Sequence, residues 1–368
     1  MKKVAEYKQN ERQSNIELLR ILAIMGVIVL HYNNASIGGG FTYAVKGSLN
    51  FYVLYFLESI FICAVDLFVI ISGYFMCNTN KRNLWKPIEL IVQVMIFSFC
   101  LYIISSLLNG NQITVKHLLV SLLPKNYFVI LYSCVYIISP FINVLFDKLS
   151  RNSINKMVIC AFLLFSVYPT IVDVLSELSG KQIIGLSSVG MYGSQWGYTI
   201  VNFILMYTIG TYMKKCDLEI KQLSTKKLLA LMCICICVLM VWARLNDRVG
   251  ILGARSAWEY CNPVVIFEAV IVLLLFLRIN LGTNYNINKL ASGAFTVFLL
   301  HGIFIKRIGI DHYVNENIIL MIIHVFASMI GIYLICFLVH TIYKPISACI
   351  FLWLSKKMQL SFIIKTND

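Results

Sequence analysis

The first apolar run of the chain holds the residues most suited to chemistry. Ser14-Asn15-Ile16-Glu17-Leu18-Leu19-Arg20 leads through Leu30 to His31-Tyr32-Asn33. Arg20 and His31 are eleven residues apart. At about 100° per residue this spacing returns to within about 20° of one helical face, with about 16 Å of axial rise between the two. One side of one helix therefore carries a guanidinium, which suits phosphate or carboxylate, and an imidazole, which moves protons near neutral pH. The competing reading is a pair of boundary markers, with Arg20 snorkelling to headgroups and His31 at the far interface.

The second apolar run adds Glu58, Asp66 and Ser72-Gly73. Two carboxylates in one span are too costly to face lipid, so they point to a polar interior. Either carboxylate can orient His31 or stabilise its cation, and the sequence leaves the choice open. Directly after this run, Lys81, Arg82, Trp85 and Lys86 place three cations and an indole at one mouth. Such a group holds phosphate by charge and adenine by stacking, although basic loops are also what membrane orientation requires. Further along, His301 lies mid-span, as a second base, a donor to an acceptor, or a buried histidine with satisfied hydrogen bonds. His324 and His340 read as satisfied core histidines. Arg244, Arg248 and Arg255, beside Trp258 and Glu259, form either an ordinary solvated outer loop or one that binds an anionic or glycan acceptor. Gly38-Gly39-Gly40 follows no strand and opens no helix, so it reads as a flexible outer loop. Cys233, Cys235 and Cys237 alternate within one apolar helix, and no metal site is expected.

Positioning these residues falls to helices in a membrane. Of 368 residues, 59% are hydrophobic and 13% charged, and the mean hydropathy is +0.80. That balance excludes a water-soluble globule. The apolar residues come in blocks long enough to cross a bilayer as helix, approximately 16–35, 51–76, 88–108, 127–146, 157–175, 196–213, 228–243, 262–278, 291–309 and 317–343. The expected fold is all-α, a polytopic bundle of about ten transmembrane helices. A cytoplasmic segment 1–15 precedes it, and an amphipathic tail 344–368 lies on the membrane surface. Most basic residues fall in the N-terminus, the even loops and the tail, so both ends are expected in the cytoplasm. A net charge of +14 would suggest nucleic acid in a soluble protein. Here the cations flank apolar spans, and the expected partners are lipid and small molecules instead.

Four stretches together resemble the acyltransferase 3 family of integral-membrane, acyl-CoA-dependent O-acyltransferases. They are Arg20 with His31; Val65-Asp66-Leu67-Phe68 through Ser72-Gly73-Tyr74; Lys125-Asn126-Tyr127-Phe128 through Ser139-Pro140; and Thr296-Val297-Phe298-Leu299-Leu300-His301. Many members carry two arginines three residues apart after the second span, whereas here Arg82 is followed by Trp85 and Lys86. The resemblance implies transfer of an acyl group, most often acetyl, from cytoplasmic acyl-CoA to a hydroxyl of a cell-surface glycan or its lipid-linked precursor. It implies His31 as general base, oriented by Asp66 or Glu58. Arg20, Ser72, Gly73, Lys81, Arg82 and Lys86 would hold acetyl-CoA or another short acyl-CoA, and His301, Arg244, Arg248 and Trp258 the acceptor. A bacterial cell membrane is the expected location. The competing class is a secondary transporter or polysaccharide exporter without such chemistry, but no paired halves are evident.

Overall fold

The computed structural model describes residues 12–110, 112–181, 195–216, 218–249, 255–357 and 361–363. Helix α1 runs from Ser14 to Asn33. The second apolar run is broken into α2 (Leu49–Phe61) and α3 (Ala64–Met76), and α4 (Trp85–Leu108) and α5 (Tyr127–Lys148) follow. Next come α6 (Arg151–Phe162), a π turn, and α7 (Tyr168–Ser179). The second half consists of α8 (Ile200–Lys215), α9 (Thr225–Val249), α10 (Pro263–Leu277), α11 (Tyr285–Ala291), α12 (Ala294–Ile305) and α13 (Ile318–Lys357).

Eight helical stretches among the described residues are long and apolar enough to cross a membrane, and α11 with α12, bent by 54°, makes a ninth. The sixth expected run falls on α8, which has only 16 residues. A helix this short would leave its ends in hydrocarbon if it stood alone. Its lipid contact is small, however, because most of its residues are buried against α3 and α5. The fold is thus a polytopic helical bundle. α13 continues unbroken from Ile318 to Lys357, so no loop marks the boundary expected at 344. Beyond it, β2 (Ser361–Ile363) pairs antiparallel with β1 (Lys81–Asn83).

α1 is the central post. It contacts α2, α3, α10, α11, α12 and α13, as a helix apolar on nearly every side must. Polar groups fix its height at one end. Asn284 N donates to Ser14 Oγ at 2.6 Å, Ser14 Oγ reaches Asn288 Oδ1 at 3.0 Å, and Asn15 Nδ2 donates to Phe276 O at 2.8 Å. At the other end, the amides of Gly38 and Gly39 donate to Asn34 O. The three glycines expected to be flexible are in fact buried. A Cβ on Gly38 would strike the carbonyl oxygens of His31 and Tyr32. The loop is glycine-rich because it folds tightly onto the end of α1 that bears His31.

α3 and α8 make the most extensive interface in the bundle, and glycines allow it. A Cβ on Gly73 would collide with Tyr207 O, and one on Gly210 with Ile70 O. Thr211 Oγ1 donates to Gly73 O at 3.3 Å. Without a hydrophobic drive between helices in lipid, close backbone approach of this kind is a main source of packing energy.

Candidate active site

His31, in the last turn of α1, and His301 meet although 270 residues separate them. Their rings are parallel within 4°, with centroids 4.6 Å apart, and His31 Nδ1 contacts His301 Nε2 directly. The nitrogens are too close for one ring to lie over the other. The imidazoles are therefore joined edge to edge in one plane. His301 Nδ1 lies 3.0 Å from Val297 O. A carbonyl only accepts, so that nitrogen carries hydrogen and His301 Nε2 keeps its lone pair. The hydrogen between the rings then belongs to His31 Nδ1. His31 Nε2 is left as a free lone pair, a tautomer assigned from the bonding network.

An inner cavity of about 330 Å³ lies near this pair; neither histidine lines it, but Val27 and Phe298, about one helical turn before His31 and His301, do. Its mouth carries Arg12, Glu17, Arg20, Lys86, Ser72, Tyr132 and Ser292, and its deep end is lined by Val27, Val65, Phe68, Phe128, Val129 and Phe298. Arg20 Nη1 donates to Glu17 Oε1 at 2.8 Å, and its side chain is 34% exposed. Three cations against one carboxylate leave the mouth net positive, which suits an anionic ligand. Ser72 Oγ donates to Phe68 O at 2.8 Å and lies 3.2 Å from Tyr132 Oη.

A second, outer cavity of about 400 Å³ has His31 itself in its wall, with Leu30, Asn34, Ser36, Glu58, Ile62, Trp196, Tyr198, Trp258, Glu259 and Tyr260. The two cavities share no lining residue. Trp258 is held in place by Phe41, stacked at 5.4 Å and 3°, by the edge of Tyr55, and by Ser59 Oγ at 3.3 Å. Trp196 has φ of 57°, the one positive value outside glycine among the described residues. Strain of this kind is held where the surroundings over-determine a residue, commonly at a site.

A family model described as an acyltransferase domain, acyltransferase 3, matches residues 13–341. The chain belongs to this acyltransferase family. No curated protein and no solved structure matches it. Eight or nine apolar helices together with this membership make it a multi-pass membrane acyltransferase.

The acyltransferase brings together most of the residues singled out in its sequence, but not all in the expected relations. His31 is partnered by His301, not by a carboxylate. Glu58 lines the outer cavity with His31, but its Oε2 accepts from Asn33 Nδ2 at 2.8 Å. Asp66 is 1% exposed, and its Oδ2 accepts no hydrogen bond.

Arg82 is the clearest correction. It is 2% exposed, and its donors all go to the protein. Nε donates to Ser139 Oγ at 2.7 Å. Nη1 reaches Thr79 O and Oγ1, both at 2.8 Å, and Lys81 O at 3.0 Å. Nη2 reaches Met76 O at 3.2 Å and Tyr207 Oη at 3.4 Å. A guanidinium has five N–H donors, so none remains for a nucleotide. Lys81 is exposed on β1 and does not line the inner cavity, whereas Lys86 does. Gly73 cannot line the cavity either. It follows Ser72 by about 100° of helical turn and is pressed against α8.

In the acyltransferase's outer half, Trp258 lines the cavity, but Arg244 does not. Its guanidinium carbon lies 5.4 Å from the Tyr52 ring centroid, a cation–π contact. The side chain of Arg248 lies outside the described residues. His324 is satisfied by Tyr32 Oη at 2.9 Å and Ile308 O at 3.0 Å. His340 is satisfied by Thr296 Oγ1 at 2.9 Å. Sequence reasoning missed Arg12, Trp196 and Tyr198. Arg12 counted there only as an orientation charge, and its place just ahead of α1, about two turns below Arg20, was the available signal.

Proposed function

We propose that the acyltransferase moves an acyl group, in the first instance acetyl, from acyl-CoA in the inner cavity to a hydroxyl of a glycan or its lipid-linked precursor in the outer one. The observation that carries this reading is the histidine pair, with His31 lining the outer cavity, Phe298 a turn from His301 lining the inner one, and His31 Nε2 free. An alcohol is a poor nucleophile near pH 7, so a base must take its proton during attack. His31 Nε2 takes the hydroxyl proton as the oxygen bonds to the thioester carbonyl carbon. The C–S bond then breaks, and the imidazolium returns the proton to the leaving thiolate, giving free CoA and the ester. His301 holds His31 in the reactive tautomer and shares the transient positive charge, as an orienting carboxylate does in a triad.

Arg12, Arg20 and Lys86 hold the phosphates of CoA by charge, and Glu17 aims Arg20 into the cavity. Ser72 and Tyr132 hydrogen-bond the pantetheine arm. In the outer cavity, Trp196 and Trp258 offer flat apolar faces to a sugar ring, and Asn34, Ser36 and Glu58 bond its hydroxyls. Lipid surrounds the bundle, and the donor side faces the cytoplasm.

The test is acetyl-CoA turnover by purified protein in detergent, read as free CoA, with a panel of glycan acceptors. Acceptor-dependent release is expected from the wild type. His31→Ala is expected to lose turnover while retaining CoA binding, and Arg20→Ala to bind acetyl-CoA more weakly. Absence of acetyl-CoA binding at millimolar concentration overturns the reading.

A further inference from the structure

The deep end of the inner cavity carries information about the acyl group itself. Phe68, Phe128 and Phe298 form an aromatic collar there, with ring centroids 6.2 Å apart for Phe68–Phe128 and 5.1 Å for Phe128–Phe298. Phe298 lies one helical turn from His301, at 6.1 Å between rings, so the collar sits directly beneath the histidine pair. The remaining described residues of this end are aliphatic. The cations are at the opposite end, since Arg20 lies about 16 Å along α1 from His31.

A thioester carbonyl attacked beside His31 Nε2 leaves its acyl substituent two directions to point. Downward it enters the collar, where a carboxylate would lose its water among apolar side chains with no cation beside it. Upward it enters the outer cavity, whose described lining holds Glu58 and Glu259 and no lysine or arginine. Neither direction offers a countercharge.

Resting on the donor assignment above, we infer that the acyl site accepts only acyl groups without charge, and rejects succinyl and malonyl groups although their CoA moieties are held equally well at the mouth. The collar also matches the thioester sulfur, which packs favourably against aromatic rings.

The experiment compares acetyl-, butyryl- and succinyl-CoA, with free CoA release as the readout and direct binding of each ester measured in parallel. Butyryl differs from succinyl in carrying a methyl group in place of the carboxylate, so the pair separates charge from length. The expected result is that all three esters bind and that kcat/KM for succinyl-CoA is at least about 1000-fold below that for butyryl-CoA, the factor corresponding to several kcal/mol for an unpaired buried ion. Phe298→Lys, which places an ammonium in the collar, is expected to narrow that ratio at least about tenfold, whereas Phe298→Leu keeps it. Succinyl-CoA turned over within about tenfold of butyryl-CoA by the wild type overturns the inference. So does rejection of both four-carbon groups, which makes the collar a gauge of length rather than charge. If Phe298→Lys does not fold, the wild-type comparison alone decides. Failure of every ester to bind is a different outcome, which overturns the donor assignment and this inference together.

Discussion

Arg82 and Lys86 are four residues apart at the same mouth, yet the structure gives them opposite tasks, and Arg82→Ala tests the difference. The guanidinium is 2% exposed and ties Met76, Thr79, Lys81, Ser139 and Tyr207 into one cluster. A hydrogen bond to a charged group contributes about 1.5–3 kcal/mol net. The six contacts share five protons and are not additive. Removing one side of such a buried network costs about 3–5 kcal/mol, because Ser139, Tyr207 and three carbonyls lose a donor at once. Arg82→Lys retains charge but has three donors and no planar fork, so it should recover only part, leaving a loss of about 2 kcal/mol. Lys86→Ala removes an exposed side chain and should change stability by no more than about 0.5 kcal/mol. Its expected effect is instead a KM for acyl-CoA raised several-fold. The assay is unfolding in detergent micelles, with thermal and denaturant series, alongside free CoA release. Arg82→Ala protein as stable as wild type but with a raised KM for the thioester would refute the reasoning, because it would place the guanidinium on ligand rather than on the loop.

Three further outcomes follow from the geometry. Gly73→Leu and Gly210→Leu should each destabilise the bundle by about 1–3 kcal/mol or more through overpacking of α3 against α8, whereas Ser72→Ala leaves the interface intact; melting in detergent separates them. His301→Phe keeps a ring but removes the acceptor for His31 Nδ1–H. It should lower kcat roughly 10- to 150-fold, the equivalent of one hydrogen bond to a developing charge, with binding of acyl-CoA unchanged. Loss of binding with kcat preserved would place His301 on the donor instead. Trp258→Ala should raise the KM for acceptor roughly 2- to 10-fold through the loss of one aromatic face and leave the KM for donor unchanged.

The bundle was legible in the sequence because bilayer thickness dictates the length of each apolar run. Arg20 and His31 were legible as one face because the 3.6-residue period is local. What could not be read was which helices become neighbours. His301 sits 270 residues from His31, and a carboxylate on the adjacent span was the more economical partner on paper. The same limit applies to Arg82. Its burial depends on Ser139 and Tyr207, which only the packing of α5 and α8 brings to it. Gly73 shows a signal that was present but unused. Adjacent helical residues project about 100° apart, so Ser72 and Gly73 could not both face one narrow cavity. The glycine loop at residues 38–40 was misread because glycine serves both looseness and tight contact, and only the nearby carbonyls of α1 distinguish the two.

The placement of His31 in the wall of one cavity, about one helical turn from the lining of the other, has a consequence for traffic. If one reactant enters from each face, neither has to cross the bilayer, and only the acyl group changes compartments. The spent carrier and the esterified product then leave by the doors through which their precursors came. On that reading the protein is a bulkhead with a pass-through hatch, open to the acyl group alone.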